Sequence, residues 1–205
     1  MDLHKPKPWN GWRDFLKEVG TIVLGVGIAL AAEQLLEYFH HRSQLQVARR
    51  ELAAELAENR HGMEVNRAQL PVIEAELAAD MALLRRSRPS PGPLVGKLDY
   101  SIAGMGWRTG AWQTVQQNGS LELMPHVEMQ NYAHLYGVLD VSGNNLVAQV
   151  QGMDRAAAIA DRIAAGPVTT KDIEDLIAAT SDAQARAMFQ RRTFNWVYEA
   201  MDSIK

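Results

Sequence analysis

The chain has 205 residues, enough for one domain and an appendage, and 47% of them are hydrophobic, enough for a core. Its 21 basic and 24 acidic residues leave a net charge of −3, which argues against a nucleic-acid partner, since such binding needs a concentrated basic surface. There is no cysteine, which removes disulfides, thiolate nucleophiles and cysteine-ligated zinc or iron–sulfur sites.

Residues 1–14 form a basic, aromatic leader with Lys5, Lys7, Arg13, Trp9 and Trp12, in which Pro6 and Pro8 oppose an early helix. Residues 19–32 are the one long uncharged, mostly apolar run. Three readings compete for it. A core helix needs burial on all sides, because the run has no polar face. A signal peptide has a cleavage pattern in Ala29, Leu30 and Ala31, but the leader is long and carries acids. A transmembrane helix over residues 15–36 would be roughly 33 Å long, enough for a hydrocarbon core of roughly 30 Å. The flanks favour the span: Trp9, Trp12 and Phe15 at one end, Tyr38 and Phe39 at the other, are interfacial anchors. Lys5, Lys7, Arg13 and Lys17 before the run, against Arg42, Arg49 and Arg50 after it, place the N-terminus in the cytoplasm.

Thr21, Gly25, Ala29 and Glu33 recur every four residues and form a small-residue stripe suited to helix packing in a membrane. Glu33 closes that stripe either as a hydrated interfacial carboxylate or as a proton carrier.

Residues 37–86 read as a long helix rich in Ala, Leu, Glu, Gln and Arg, kinked or divided at Pro71. A seam in steps of three and four passes through Leu45, Ala48, Leu52, Leu56, Asn59, Met63, Asn66, Leu70, Ile73, Leu77, Met81 and Leu84. It packs on another helix of this chain or of a second copy. Asn59 and Asn66 set its register or face a wet gap.

A Ser/Pro/Gly-rich turn at residues 87–93 sends the chain back, so residues 87–205 form a helical bundle on the long helix. Residues 94–106 are ambiguous between a short helix and a loop. Residues 107–117 read as helix, stopped by Asn118 and Gly119. Pro125 opens a helix that Ser142, Gly143, Asn144 and Asn145 could bend, and Gly166 with Pro167 stops it. Thr169 caps a short helix to about residue 179, and Ser181 with Gln184 reads as the capping box of the last one. No alternating strand pattern stands out.

Chemistry is sparse. The six histidines, His4, His40, His41, His61, His126 and His134, form no HxxxH pair. No nucleophile elbow, phosphate loop or dinucleotide fingerprint occurs, and no motif calls for a metal or cofactor. Trp107, Trp112, Tyr132, Tyr136, Phe194, Trp196 and Tyr198 read as bundle core or as the lining of a ligand pocket.

Two segments, FLKEVGTIVLGVGIALAAEQ (15–34) and AWQTVQQNGSLELMPHVEMQNYAHLY (111–136), resemble a group of uncharacterised bacterial proteins with one N-terminal span and a helical C-terminal domain. The resemblance implies a bacterial origin and a membrane anchor, and carries no catalytic residue.

Together these readings describe an all-α protein: a transmembrane helix continuing into a long helix, with an antiparallel bundle on its distal part. The expected role is non-enzymatic, a scaffold or accessory subunit of an envelope complex acting through protein contacts. The expected partners are the lipid bilayer and a second copy or a membrane protein. The expected place is the bacterial inner membrane, with the bundle periplasmic. The alternatives are an extracytoplasmic ligand-binding bundle and a stator-like, proton-coupled helix using Glu33.

Overall fold

The computed structural model describes residues 11–88, 98–100, 104 and 106–204; Trp9 and most of the leader and proline-rich turn lie outside them. The described residues are mostly helical, and no strand occurs among them. The chain divides into two units, Met1–Val47 and Ala48–Lys205.

Helix α1, Trp12–Ser87, runs uninterrupted through Pro71. Of the kink or division expected there, the division does not occur. Proline removes one backbone donor, which would have bonded the Arg67 carbonyl, but Arg67 and Pro71 are both exposed, so water reaches the orphaned group. In the first unit, every residue of α1 from 16 to 40 is exposed.

In the second unit, the seam of α1 is the wall of a core. Ala48, Leu52, Asn59, Met63, Asn66, Leu70, Ile73, Leu77, Met81 and Leu84 are buried, while Leu45 and Leu56 are half-buried. The distal half of α1 therefore belongs to the bundle, which begins at Ala48 rather than at residue 87. The partners come from the same chain. Helix α3, His126–Ala164, and helix α4, Thr170–Asp202, supply Leu135, Leu139, Met153, Leu176, Ala183 and Val197.

The helix directions follow from cross-helix bonds. Glu128 and Tyr136 of α3 bond Arg49 and Glu55 of α1, so these helices run parallel. Helix α4 runs antiparallel to α1: Arg88 pairs with Glu174 at 3.1 Å, Gln184 reaches the Leu77 carbonyl at 3.2 Å, and Arg60 pairs with Asp202 at 3.1 Å. The parallel pair is possible because the chain returns along α1 as a strap whose described residues, 98–100, 104 and 106–109, are not helical. The helix expected over residues 107–117 is accordingly only α2, Gly110–Gln117. A 3₁₀ turn, Ser120–Leu123, follows through Gly119, whose φ of 77° suits a residue without a Cβ.

Two expected interruptions are absent. Helix α3 continues through Ser142, Gly143, Asn144 and Asn145. Ser142 accepts a bond from Gln190 Nε2 at 2.9 Å, and Asn145 bonds the Gln190 side chain, so the turn-prone groups are spent on α4 rather than on their own backbone. Gly143 also admits Trp107, which would lie 3.2 Å from an added Cβ. Helix α4 continues through Ser181, because Gln184 reaches α1 instead of closing a capping box. The Thr169 capping box is present, with the Asp172 backbone N–H and side chain reciprocating.

Leu77→Ala removes a fully buried side chain and is expected to destabilise the bundle by about 2–5 kcal/mol. Leu24→Ala, on the uncovered part of α1, is expected to leave the bundle's melting temperature unchanged. Thermal unfolding of the full chain, followed by tryptophan fluorescence, separates the two.

Candidate functional site

The first candidate is the uncovered segment of α1. It is long and apolar enough to cross a membrane, and none of the qualifying stretch is buried. Thr21 donates its hydroxyl to the Lys17 carbonyl at 2.9 Å, which satisfies it within the helix. An added Cβ on Gly25 or Gly27 would meet nothing within 4 Å, so no contact within the chain requires glycine there. Ala29 and Glu33 are exposed on the same face. Trp12 stacks on Phe15 at 5.6 Å, and Tyr38 meets Phe39 edge-on at 5.7 Å, one aromatic pair at each end of the apolar stretch.

The second candidate is a polar spine on the buried side of α1. Glu55 is 9% exposed and forms no ion pair with any described residue. Its carboxylate accepts the backbone N–H groups of Ala111 (2.8 Å) and Trp112 (3.3 Å) and the Tyr136 hydroxyl (2.6 Å). Ala111 and Trp112 are the second and third residues of α2, whose own Thr109 side chain makes no capping bond. Glu55 thus does the capping from another helix, where the positive end of the α2 dipole favours an anion. Trp112 stacks on Tyr136 at 4.9 Å and 3°, closing the site.

One turn along, Asn59 donates to the Arg108 carbonyl (2.8 Å) and accepts from the Arg108 N–H (2.7 Å), so its amide pairs with the strap as a strand would. Asn66 faces Gly104. Asp80 accepts the Asp99 N–H at 3.2 Å, and burial raises its carboxyl pKa despite that bond. Tyr100 donates to Thr180 at 2.7 Å; Thr180 spends its own proton on the Leu176 carbonyl. Burial pushes the Tyr100 phenol up to about 12. It raises Tyr132 and Tyr136 as well, the latter also through the bond to Glu55.

The seam reading overlooked Glu55 and Asp80 because acids on a helix are read as solvated. The signal was the spacing of Glu55, Asn59, Gly62 and Asn66, a polar stripe recurring in threes and fours inside an apolar seam. Of the aromatic set, Trp112, Tyr132, Tyr136 and Phe194 are buried, whereas Trp196 remains 45% exposed against Phe189.

A third feature is a cleft of about 670 Å³ lined by Arg49, Leu56, Val127, Glu128 and Tyr132 among others. Arg49 binds Glu128 in a two-pronged ion pair at 2.8 and 2.6 Å. No protein-family model, curated protein or solved structure matches this chain.

Glu55→Ala is expected to cost about 2–4 kcal/mol, since each buried donor left unpaired costs ~1–3 kcal/mol; Tyr136→Phe is expected to cost less. Chemical denaturation of the full chain measures both. Alkaline stability follows from the phenols. A folded-state pKa above the ordinary 10.0 gives stability that is complete below pH 10 and is lost as pH rises towards 12, because the unfolded phenol ionises first. Melting temperature is expected to fall over that window, and more gently in Tyr100→Phe.

Proposed function

We propose that residues 15–36 anchor this chain as a single span in a bacterial inner membrane, with the N-terminus cytoplasmic. The bundle, Ala48–Lys205, is then periplasmic and works by contact with other proteins as a scaffold or accessory subunit. The carrying observation is that residues 16–40 are all exposed and that the uncharged run 19–32 within them has no polar face. Leaving such a surface in water costs about 25 cal/mol per Å² of apolar area, and a bilayer removes that cost. The aromatic pairs at both ends fit interfacial belts. The face of Thr21, Gly25, Ala29 and Glu33 is where the span of a second copy or of a membrane protein would approach.

When the full chain is expressed in a bacterial host, it is expected to stay in the membrane pellet through alkaline carbonate washing. A double variant, Leu24→Lys with Ile28→Lys, is expected to leave it, because each central lysine costs roughly 2.5–3.5 kcal/mol. Release of the unaltered chain by carbonate removes the anchor reading. Isolation as a monomer with no crosslinked companion protein removes the contact role.

A further inference from the structure

We propose that the cleft beside Arg49 binds a single-chain amphiphile: an alkyl chain ending in a head group that accepts hydrogen bonds. This concerns the bundle alone and stands apart from the anchor reading. At about 670 Å³ the cleft falls within the usual range of ligand pockets, roughly 300–1,000 Å³. Ala53, Leu56, Pro125, Val127 and Ile204 form its apolar wall. Its polar groups are Arg49, Glu128, Asn131 and Tyr132. The last three are spaced by three and four residues at the start of α3, so they share one face, and Arg49 is joined to that face through Glu128.

Tyr132 points to a ligand. It is 6% exposed, yet its hydroxyl makes no hydrogen bond with any described residue. Tyr136, one turn later on the same helix, spends its hydroxyl on Glu55, whereas the Tyr132 hydroxyl is not sealed from solvent and is free to meet a head group in the cleft. The Tyr132 ring is held against Trp112 at 6.5 Å, while the residue forms part of the cleft wall.

Arg49 supplies further donors. Its Nε and one Nη are used by Glu128, and its remaining N–H groups take no carboxylate. Because Glu128 cancels the Arg49 charge, the head group is read by hydrogen bonding rather than by net charge. Asn131 donates its amide to the Ser203 carbonyl at 3.2 Å, which ties that wall to the end of α4. A fatty carboxylate and a monoacyl phospholipid share the required chemistry, an acyl chain with an acceptor head.

The test uses the full chain in bilayer nanodiscs and a dodecanoate probe with a diazirine near its chain end, with adducts located by peptide mass spectrometry. Adducts are expected on peptides carrying Leu56, Val127 and Ile204. Tyr132→Phe keeps the ring and loses only the hydroxyl. It is expected to cut cleft labelling at sub-saturating probe about five- to tenfold, the worth of roughly one hydrogen bond, with unchanged circular dichroism. Ala53→Trp fills the cleft and is expected to abolish labelling there; if it does not fold, Tyr132→Phe still decides. A probe with the same chain on a trimethylammonium head, which accepts no hydrogen bond, is expected to label the cleft at less than about a tenth of that level. Competition with unlabelled dodecanoate and with lysophosphatidylglycerol distinguishes a free fatty acid from a lipid, and displacement by either supports the proposal. Labelling confined to residues 16–40, labelling unchanged in Tyr132→Phe, or equal labelling by the two heads overturns it.

Discussion

An extended piece of backbone laid against a helix brings its N–H and C=O groups to a surface that has no free backbone partners to offer. Those groups must be paired or left at a cost of kilocalories each. This chain solves the problem with side chains of α1. Glu55 takes two N–H groups at the start of α2, Asn59 takes both backbone groups of Arg108, and Asp80 takes the Asp99 N–H. The rest of the bundle depends on that arrangement. Because the return is a strap, α3 starts beside Arg49 and runs parallel to α1, and α4 then fits antiparallel to both.

The same arrangement explains why a carboxylate tolerates burial at Glu55. Stripping water from an acid is costly unless its oxygens are bonded. Here two backbone donors at a helix N-terminus and a phenol replace the water. The stacked Trp112 and Tyr136 rings seal the site. Short α2, at eight residues, is below the length at which a helix sustains itself in water, so the borrowed cap and the packing of Trp112 and Val115 hold it in place.

Apolar surface is handled in two opposite ways along a single helix. From Ala48 onward the apolar side chains of α1 form a stripe, and the same chain covers it. Over the run 19–32 they lie all round the helix, and every residue from 16 to 40 is exposed. Periodicity distinguishes the two cases: a stripe asks for a neighbouring helix, whereas a fully apolar cylinder asks for an apolar solvent.

The all-α class, the long helix, the apolar buried positions of α1 and the stops at Asn118 and Gly166 were legible in the sequence, because each rests on local periodicity or on a residue whose backbone preference is its own. The sequence alone also determined that the run 19–32 has no polar face. Tertiary structure decided the rest. Whether α3 continues through Ser142 and Asn145 and whether Ser181 starts a helix depended on where polar groups could find partners, and those partners lie on other helices; at Pro71 it depended on water reaching an exposed helix face. The identity of the cover on the seam, the capping of α2 by Glu55 and the cleft lined by Tyr132 join residues 49–80 to residues 99–204. Contacts across such separations leave no local pattern, since they are chosen by the packing of whole helices rather than by the spacing of neighbours.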